Sequence, residues 1–445
     1  MFKNSIGVQV PDILLPREGV PMEKWAVVAC DQFTSQPEYW EEAERIVGDA
    51  PSTLRLMLPE MYLEKPGEAE RIAAINATMD RYMAEGTLES KGQGFVFVRR
   101  TMDGKTRSGL IVALDLEQYD YSRGSETLIR ASEGTIVERI PPRLRIRKDA
   151  ALELPHILVL IDDPERTVIE PLAEAANAET KLYDFDLMLG GGHIEGYMVN
   201  DAGRIEGALR ALEALADPAR FAAQYGEGKA PMLFAMGDGN HSFATAKANW
   251  EALKQTLTPA EQENHPARYA LVELENIHDE GIIFEPIHRV LFNLDSEKAL
   301  RWLLERLAAD NGACKMNRFA TKEECEASLK VAETCGGHLL PFVSEQGYGY
   351  LKVNAPVAQL EVGTLQNALD AMLKAFPEAT IDYIHGADVV YELGAKPGNL
   401  GFLLPPMAKS AFFPTVVFDG ALPRKTFSMG EANEKRYYLE CRKIK

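Results

Sequence analysis

Cysteine is scarce in this chain of 445 residues: Cys30, Cys314, Cys325, Cys335 and Cys441 form an odd set with no C-x-x-C spacing. That pattern suits reduced thiols and excludes a disulfide framework. No apolar run approaches the ~20 residues that a membrane helix requires. The opening MFKNSIGVQVPD has neither the apolar centre nor the small-residue cleavage site of a secretory leader. A cytoplasmic protein without a membrane partner is expected. Long basic runs are missing too: 67 acidic residues outweigh 48 basic ones, for a net charge of -19. This argues against a nucleic-acid partner, although backbone amides can still build a local anion site. Histidine pairs spaced H-x-x-x-H or H-E-x-x-H are absent as well, which disfavours catalysis by a histidine-held metal alone.

What is there reads as two or three lobes, since the chain exceeds what one core usually serves. The expected division is an amino-terminal lobe over 1–150, a central lobe over 151–295 and a carboxyl-terminal lobe over 296–445. In the first, residues 25–30 read as a short buried strand and 37–47 as a helix with proline in its first turn. A second helix is predicted over 68–83, and Asp103-Gly104 between apolar runs predicts a hairpin of strands 94–100 and 108–116. Further on, 155–161 and 230–235 read as strands, and 204–223 and 243–253 as helices. Two more strands are expected at 269–274 and 281–284, and from 296 the pattern reads helix, helix, strand, strand, helix. The triple glycine before His193 reads as a turn, because it lacks the spacing of a dinucleotide site. The fold class is therefore α/β (α+β), with mixed sheets and flanking helices.

Function centres on Gly237-Asp238-Gly239-Asn240-His241-Ser242, a polar turn between an apolar strand and a helix. The first N–H groups of a helix are unpaired and carry partial positive charge, so such a turn is a ready anion cradle. Asp238 could hold Mg2+ or orient a hydroxyl, Gly239 permits close backbone approach, and His241 and Ser242 can donate to phosphate oxygens. The plainer reading makes Asp238 or Asn240 a helix cap and His241 a first-turn residue.

The turn resembles the strand, D-G-H-H-R and helix of the family known as domain of unknown function 1015. Four other blocks correspond in order. They are Cys30-Asp31-Gln32-Phe33 with P-Y-D, Pro51-Ser52-Thr53-Leu54-Arg55 with N-P-x-S-F-x-R, Ser132-Glu133-Gly134-Thr135 with H-E-x-T, and Glu285-Pro286-Ile287-His288-Arg289 with P-T-H-R. A terminal block, Leu422-Pro423-Arg424-Lys425-Thr426, follows M-P-x-K-S-T. The turn also resembles that of the ParB/sulfiredoxin-like free-serine kinases. The resemblance implies a ParB/sulfiredoxin-like core with additional lobes and transfer of phosphate from ATP, or ADP, with Mg2+, to the hydroxyl of L-serine. Asn240 and Ser242 depart from the pattern, and Ser242 removes an arginine that would neutralise the moving phosphoryl group. Either Lys247, Arg289 or Lys425 substitutes, or the substrate differs.

Under this reading Glu133, Asp238 and His241 carry the chemistry, with Glu133 as general base and Asp238 as the Mg2+ ligand. Asp31, Arg55, Thr135, His193, Gly239, Asn240, Ser242, Lys247, His288, Arg289 and Lys425 would bind phosphate or substrate. The expected partners are a small-molecule substrate and a nucleotide, with a homodimer left open. Two alternatives stand beside the kinase: a non-catalytic ligand-binding or regulatory protein, and a related phosphotransferase with another acceptor.

Overall fold

The computed structural model describes residues 4–445; the first three residues of the segment read for a leader lie outside them. Contacts divide the chain into two units, Met1–Ile283 with Met429–Lys445, and Phe284–Ser428.

The first unit is built on ten strands: β1 (Val8–Gln9), β2 (Phe95–Met102), β3 (Lys105–Asp115), β4 (Tyr119–Asp120), β5 (Ile129–Arg130), β6 (Leu158–Ile161), β7 (Lys181–Asp186), β8 (His193–Val199), β9 (Phe234–Asp238) and β10 (Tyr269–Asn276). Their order is β7-β8-β2-β3-β10-β6-β9-β5-β4, with β1 on β3. The pairs β6/β10, β5/β9 and β4/β5 are parallel, whereas β2/β3, β3/β10 and β6/β9 are antiparallel, so the sheet is mixed as its alternating sequence predicts. Asp103 and Gly104 turn the β2/β3 hairpin with φ of 49° and 76°, the left-handed pair that Asp-Gly favours.

Strand alternation sends side chains into two cores. Phe95, Phe97, Leu110 and Val112 enter one, with the helices Ala202–Leu215 and Asn240–Lys254. Val96, Val98, Ile111 and Ala113 enter the other, under the helices Pro37–Val47 and Glu68–Ala84. Each large apolar side chain buried this way contributes about 1.5–3 kcal/mol.

The segment Met429–Lys445 is sewn into this unit. Tyr437–Tyr438 pairs with Val27–Val28, and Arg442–Lys443 pairs with Leu152–Glu153. Its arginines meet buried carboxylates: Arg436 lies 3.0 Å from Glu273, and Arg442 lies 2.7 Å from Glu153. Removing one partner of such a pair strands a buried charge at a cost of about 3–5 kcal/mol.

The second unit holds an antiparallel sheet of β11 (Phe284–Phe292), β12 (Cys314–Phe319), β13 (His338–Ser344), β14 (Gly347–Val353), β15 (Thr380–His385) and β16 (Leu400–Phe402) in the order β12-β14-β13-β16-β11-β15. The helices Ser296–Asn311 and Glu361–Ala375 bury Leu303, Leu307, Leu365 and Leu369.

Several elements differ from the sequence reading. Residues 25–30 hold the end of a short helix, Met22–Trp25, and only Val27–Val28 as strand. The helix expected over 204–223 breaks at Asp217, whose side chain accepts the Arg220 N–H and starts a second helix, Pro218–Tyr225. The strand feeding the central turn is Phe234–Asp238 rather than 230–235, which carries Asp238 on its last residue. Residues 281–283 precede β11 instead of forming a strand: the Gly281 N–H donates to Asp279, and a Cβ there would sit 2.6 Å from the Thr106 carbonyl oxygen. The strand Cys314–Phe319 stands between the two helices that follow 296. Among the described residues no helix is long and apolar enough to cross a membrane.

Candidate functional site

Strand β9 ends on Asp238 opposite Leu158, and Gly239 turns the chain into the helix Asn240–Lys254. Gly239 has φ of 80°, and a Cβ on it would lie 3.1 Å from the Ile157 Cα, so both conformation and close approach call for glycine. Gly237 is equally confined, with Met429 Sδ 2.7 Å from where its Cβ would stand.

Asp238 is held from both sides. Its Oδ1 accepts the Gly239 N–H at 2.8 Å, and its Oδ2 lies 3.0 Å from Lys435 Nζ. Burial alone would raise this carboxyl, but the Lys435 ammonium, the Gly239 N–H and nearby His156 outweigh it, and Asp238 titrates below its ordinary value. The cation at Asp238 is thus delivered by the carboxyl-terminal segment, whose backbone is fixed by Arg100. That buried guanidinium donates to the carbonyls of Gly191, Asn433 and Lys435. The triple-glycine turn serves this packing, since a Cβ on Gly191 would meet the Tyr437 hydroxyl at 2.5 Å.

Asn240 and His241 draw a second block to the turn. Asn240 Oδ1 accepts the Ser132 N–H, and its Nδ2 donates to Ser132 Oγ, each at 3.2 Å. His241 Nε2 accepts the Ile136 N–H at 3.2 Å, so this nitrogen carries no proton. The loop that holds Glu133 and Thr135 is therefore clamped at both ends to the helix start, and the Thr135 hydroxyl faces the Tyr119 phenol.

Ser242 completes the turn with a different contact. Its Oγ lies 2.9 Å from His156 Nε2, and His156 Nδ1 lies 2.8 Å from the Tyr438 hydroxyl. Beside this chain opens a cavity of about 140 Å³, lined by Cys30, Leu58, Leu154, His156, Ser242 and Tyr438 among others.

The other residues singled out in the sequence sit in local settings of their own. Arg55 makes a two-pronged bond to Glu44 at 2.6 Å and donates to the Gly48 carbonyl, while Ser52 and Thr53 donate to the Trp25 carbonyl. Asp31 follows Cys30 of the cavity wall and accepts from Gln32. Lys247 pairs with Glu251 at 2.7 Å. His193 bridges Asp184 and Asp186 at 2.9 and 2.7 Å, and these contacts, Asp186 first, hold its imidazole above the usual value. His288, Arg289 and Lys425 belong to the second unit. There His288 Nδ1 accepts the Leu404 N–H, Arg289 donates to Gln366 and the Arg424 carbonyl, and Lys425 adopts a φ of 55°. Sequence reading passed over His156, Lys435 and Tyr438; His156 lies within 155–161, read as an apolar strand, of which Leu158–Ile161 forms β6.

The family described as protein of unknown function (DUF1015) matches residues 14–372. The chain belongs to the DUF1015 family. Within this DUF1015 chain Asp238, His156 and Ser242 fall inside the matched span, whereas Lys435 and Tyr438 lie beyond it. No curated protein matches the chain. Among solved structures it is similar to a conserved hypothetical protein from Pyrococcus furiosus, at 13% identity and a TM-score of 0.34, over 74% of this chain and 90% of that one. It is also similar to a free serine kinase in complex with AMP, at 10% identity and a TM-score of 0.38, over 75% and 92%. A third is SbnI with C-terminal truncation from Staphylococcus aureus, at 10% identity and 0.34, over 72% and 81%.

Proposed function

We propose that this protein is a small-molecule phosphotransferase that moves a phosphoryl group from ATP or ADP to the hydroxyl of a free amino acid, with L-serine the first acceptor to test. One observation carries the reading: a carboxylate, an ammonium and the start of a long helix converge at one turn, Asp238 with Lys435 3.0 Å away at the mouth of Asn240–Lys254. Phosphoryl transfer asks mainly for positioning and charge neutralisation, and these groups supply both. Lys435 takes the neutralising role expected of an arginine at position 242. Glu133, in the loop that Asn240 and His241 clamp, is the proposed base.

Magnesium does not fit Asp238 as a protein-held ion, because one carboxylate oxygen already faces the ammonium and the other a backbone N–H. In this proposal the metal enters as the nucleotide's own counter-ion, on phosphate oxygens, as Mg2+ commonly does. The alternative of a non-catalytic binding protein is favoured by Ser242, which stands where the family pattern has arginine and is engaged with His156.

The test is phosphate transfer from MgATP and MgADP to L-serine, L-threonine and L-homoserine, wild type against Asp238→Asn. Transfer by the wild type that the variant loses supports the kinase and names its acceptor. No transfer from either donor to any acceptor overturns it.

A further inference from the structure

The cavity beside Ser242 has features that phosphoryl transfer does not use. A serine hydroxyl and a histidine nitrogen stand within hydrogen-bond reach, Ser242 Oγ to His156 Nε2 at 2.9 Å, and a third group orients the histidine. That group is the Tyr438 hydroxyl, 2.8 Å from Nδ1, which also receives the Cys30 N–H at 3.4 Å. The two rings meet edge to face at 88°. With Nδ1–H donating to the tyrosine oxygen, Nε2 is left to accept the serine proton. Nucleophile, base and orienting group in series are the signature of an activated serine.

The surroundings choose the substrate class. Both cavity arginines are already neutralised, Arg143 by Glu60 and Arg147 by Glu153, each at 2.5 Å. Leu58, Leu63, Ile146, Leu154 and Leu271 supply apolar wall. The volume of about 140 Å³ is close to the ~150 Å³ apolar cavity that accommodates benzene. Such a space accepts a short uncharged chain and gives no counter-charge to a phosphate. The Phe243 N–H donates to the Gly239 carbonyl at 3.0 Å, and Ser242 lies in the first turn of the helix, where backbone N–H groups lack an intrahelical acceptor. Ser242 also sits at the positive end of the helix, the favourable place for a developing oxyanion.

We propose that Ser242 is an acyl-accepting nucleophile, with His156 as its base, Tyr438 as the residue that positions His156, and short-chain acyl esters or thioesters as substrates. Ser242 Oγ bonds to the acyl carbon while its proton passes to His156 Nε2. The carbon–oxygen or carbon–sulfur bond to the leaving group then breaks, and the departing alcohol or thiol takes that proton. Water, deprotonated by the same nitrogen, cleaves the acyl-serine to carboxylic acid and restores the hydroxyl. None of this depends on the phosphotransferase reading.

The experiment treats the full chain with an alkyl fluorophosphonate, follows intact mass, maps the labelled peptide, and assays p-nitrophenyl butyrate hydrolysis in parallel. The expected result is one adduct, on Ser242, with ester turnover that Ser242→Ala abolishes. His156→Gln should slow labelling by about a hundredfold or more, the usual worth of a general base. Tyr438→Phe should shift the pH profile of labelling while leaving the adduct on Ser242, an effect that a packing role alone would not give. Thermal unfolding checks each variant, and adduct mapping in the wild type decides even where a variant fails to fold. No adduct, an adduct on another serine, or a labelling rate unchanged in folded His156→Gln overturns the proposal.

Discussion

Lys435 Nζ stands 3.0 Å from Asp238 Oδ2, joining residues far apart in sequence at the start of the helix Asn240–Lys254. The pair brings opposite charges together at the turn, and in the proposed phosphotransferase the ammonium would neutralise charge on the moving phosphoryl group.

Lys435→Met should therefore reduce kcat/KM for phosphoryl transfer by about a hundredfold, the scale of losing one preorganised charge-stabilising group. Lys435→Arg should retain much of it. Without the ammonium, burial dominates at Asp238, so its carboxyl should titrate higher than in the wild type, as carbon-13 NMR of the labelled side chain would show.

Asn240→Ala removes both hydrogen bonds to Ser132. The expected cost is about 1–3 kcal/mol in the stability of the loop, given that buried partners are left unmet. Amide hydrogen exchange should accelerate over residues 132–136 while β9 stays protected.

Gly239→Ala forces a side chain into a φ of 80° and against the Ile157 Cα at 3.1 Å. Destabilisation of about 1–3 kcal/mol is expected from the backbone alone. Both proposed activities should fall together, because the start of the helix moves with the turn.

His288 gives the second unit a pH dependence of definite sign. Burial first, then the charges of Arg289 and His385, push its imidazole from 6.5 down to about 4, and its Nδ1 accepts the Leu404 N–H. A depressed pKa means full stability above pH 6.5, loss as the pH falls and the unfolded chain takes up the proton, and no further loss below about pH 4. The whole effect is on the order of 3 kcal/mol. His288→Asn should flatten this slope in urea unfolding followed by probes in residues 284–428.

The sequence announces elements whose cause is local. Asp103-Gly104 needs only its own φ preference to make a hairpin, and Pro37 to Val47 runs as the helix its first-turn proline and acids foretell. The central turn is legible for the same reason: glycine between strand and helix marks a special backbone wherever it occurs. His156, Lys435 and Tyr438 are not, because their roles come from pairing across hundreds of residues; Tyr438 reaches His156 through the strand it forms with Val27–Val28. Arg55 shows the converse. A motif arginine looks ready for an anion until the fold sets Glu44 beside it at 2.6 Å. Helix breaks at single residues, such as Asp217 before Pro218, fall between, visible as proline yet hidden inside an otherwise continuous apolar pattern.

The first unit is discontinuous, and Phe284–Ser428 is translated before its last piece, Met429–Lys445. That piece carries Lys435, Tyr438 and the arginines that meet Glu273 and Glu153. Asp238, Glu273 and Glu153 thus take their cations from a stretch that lies beyond the whole of the second unit in the chain.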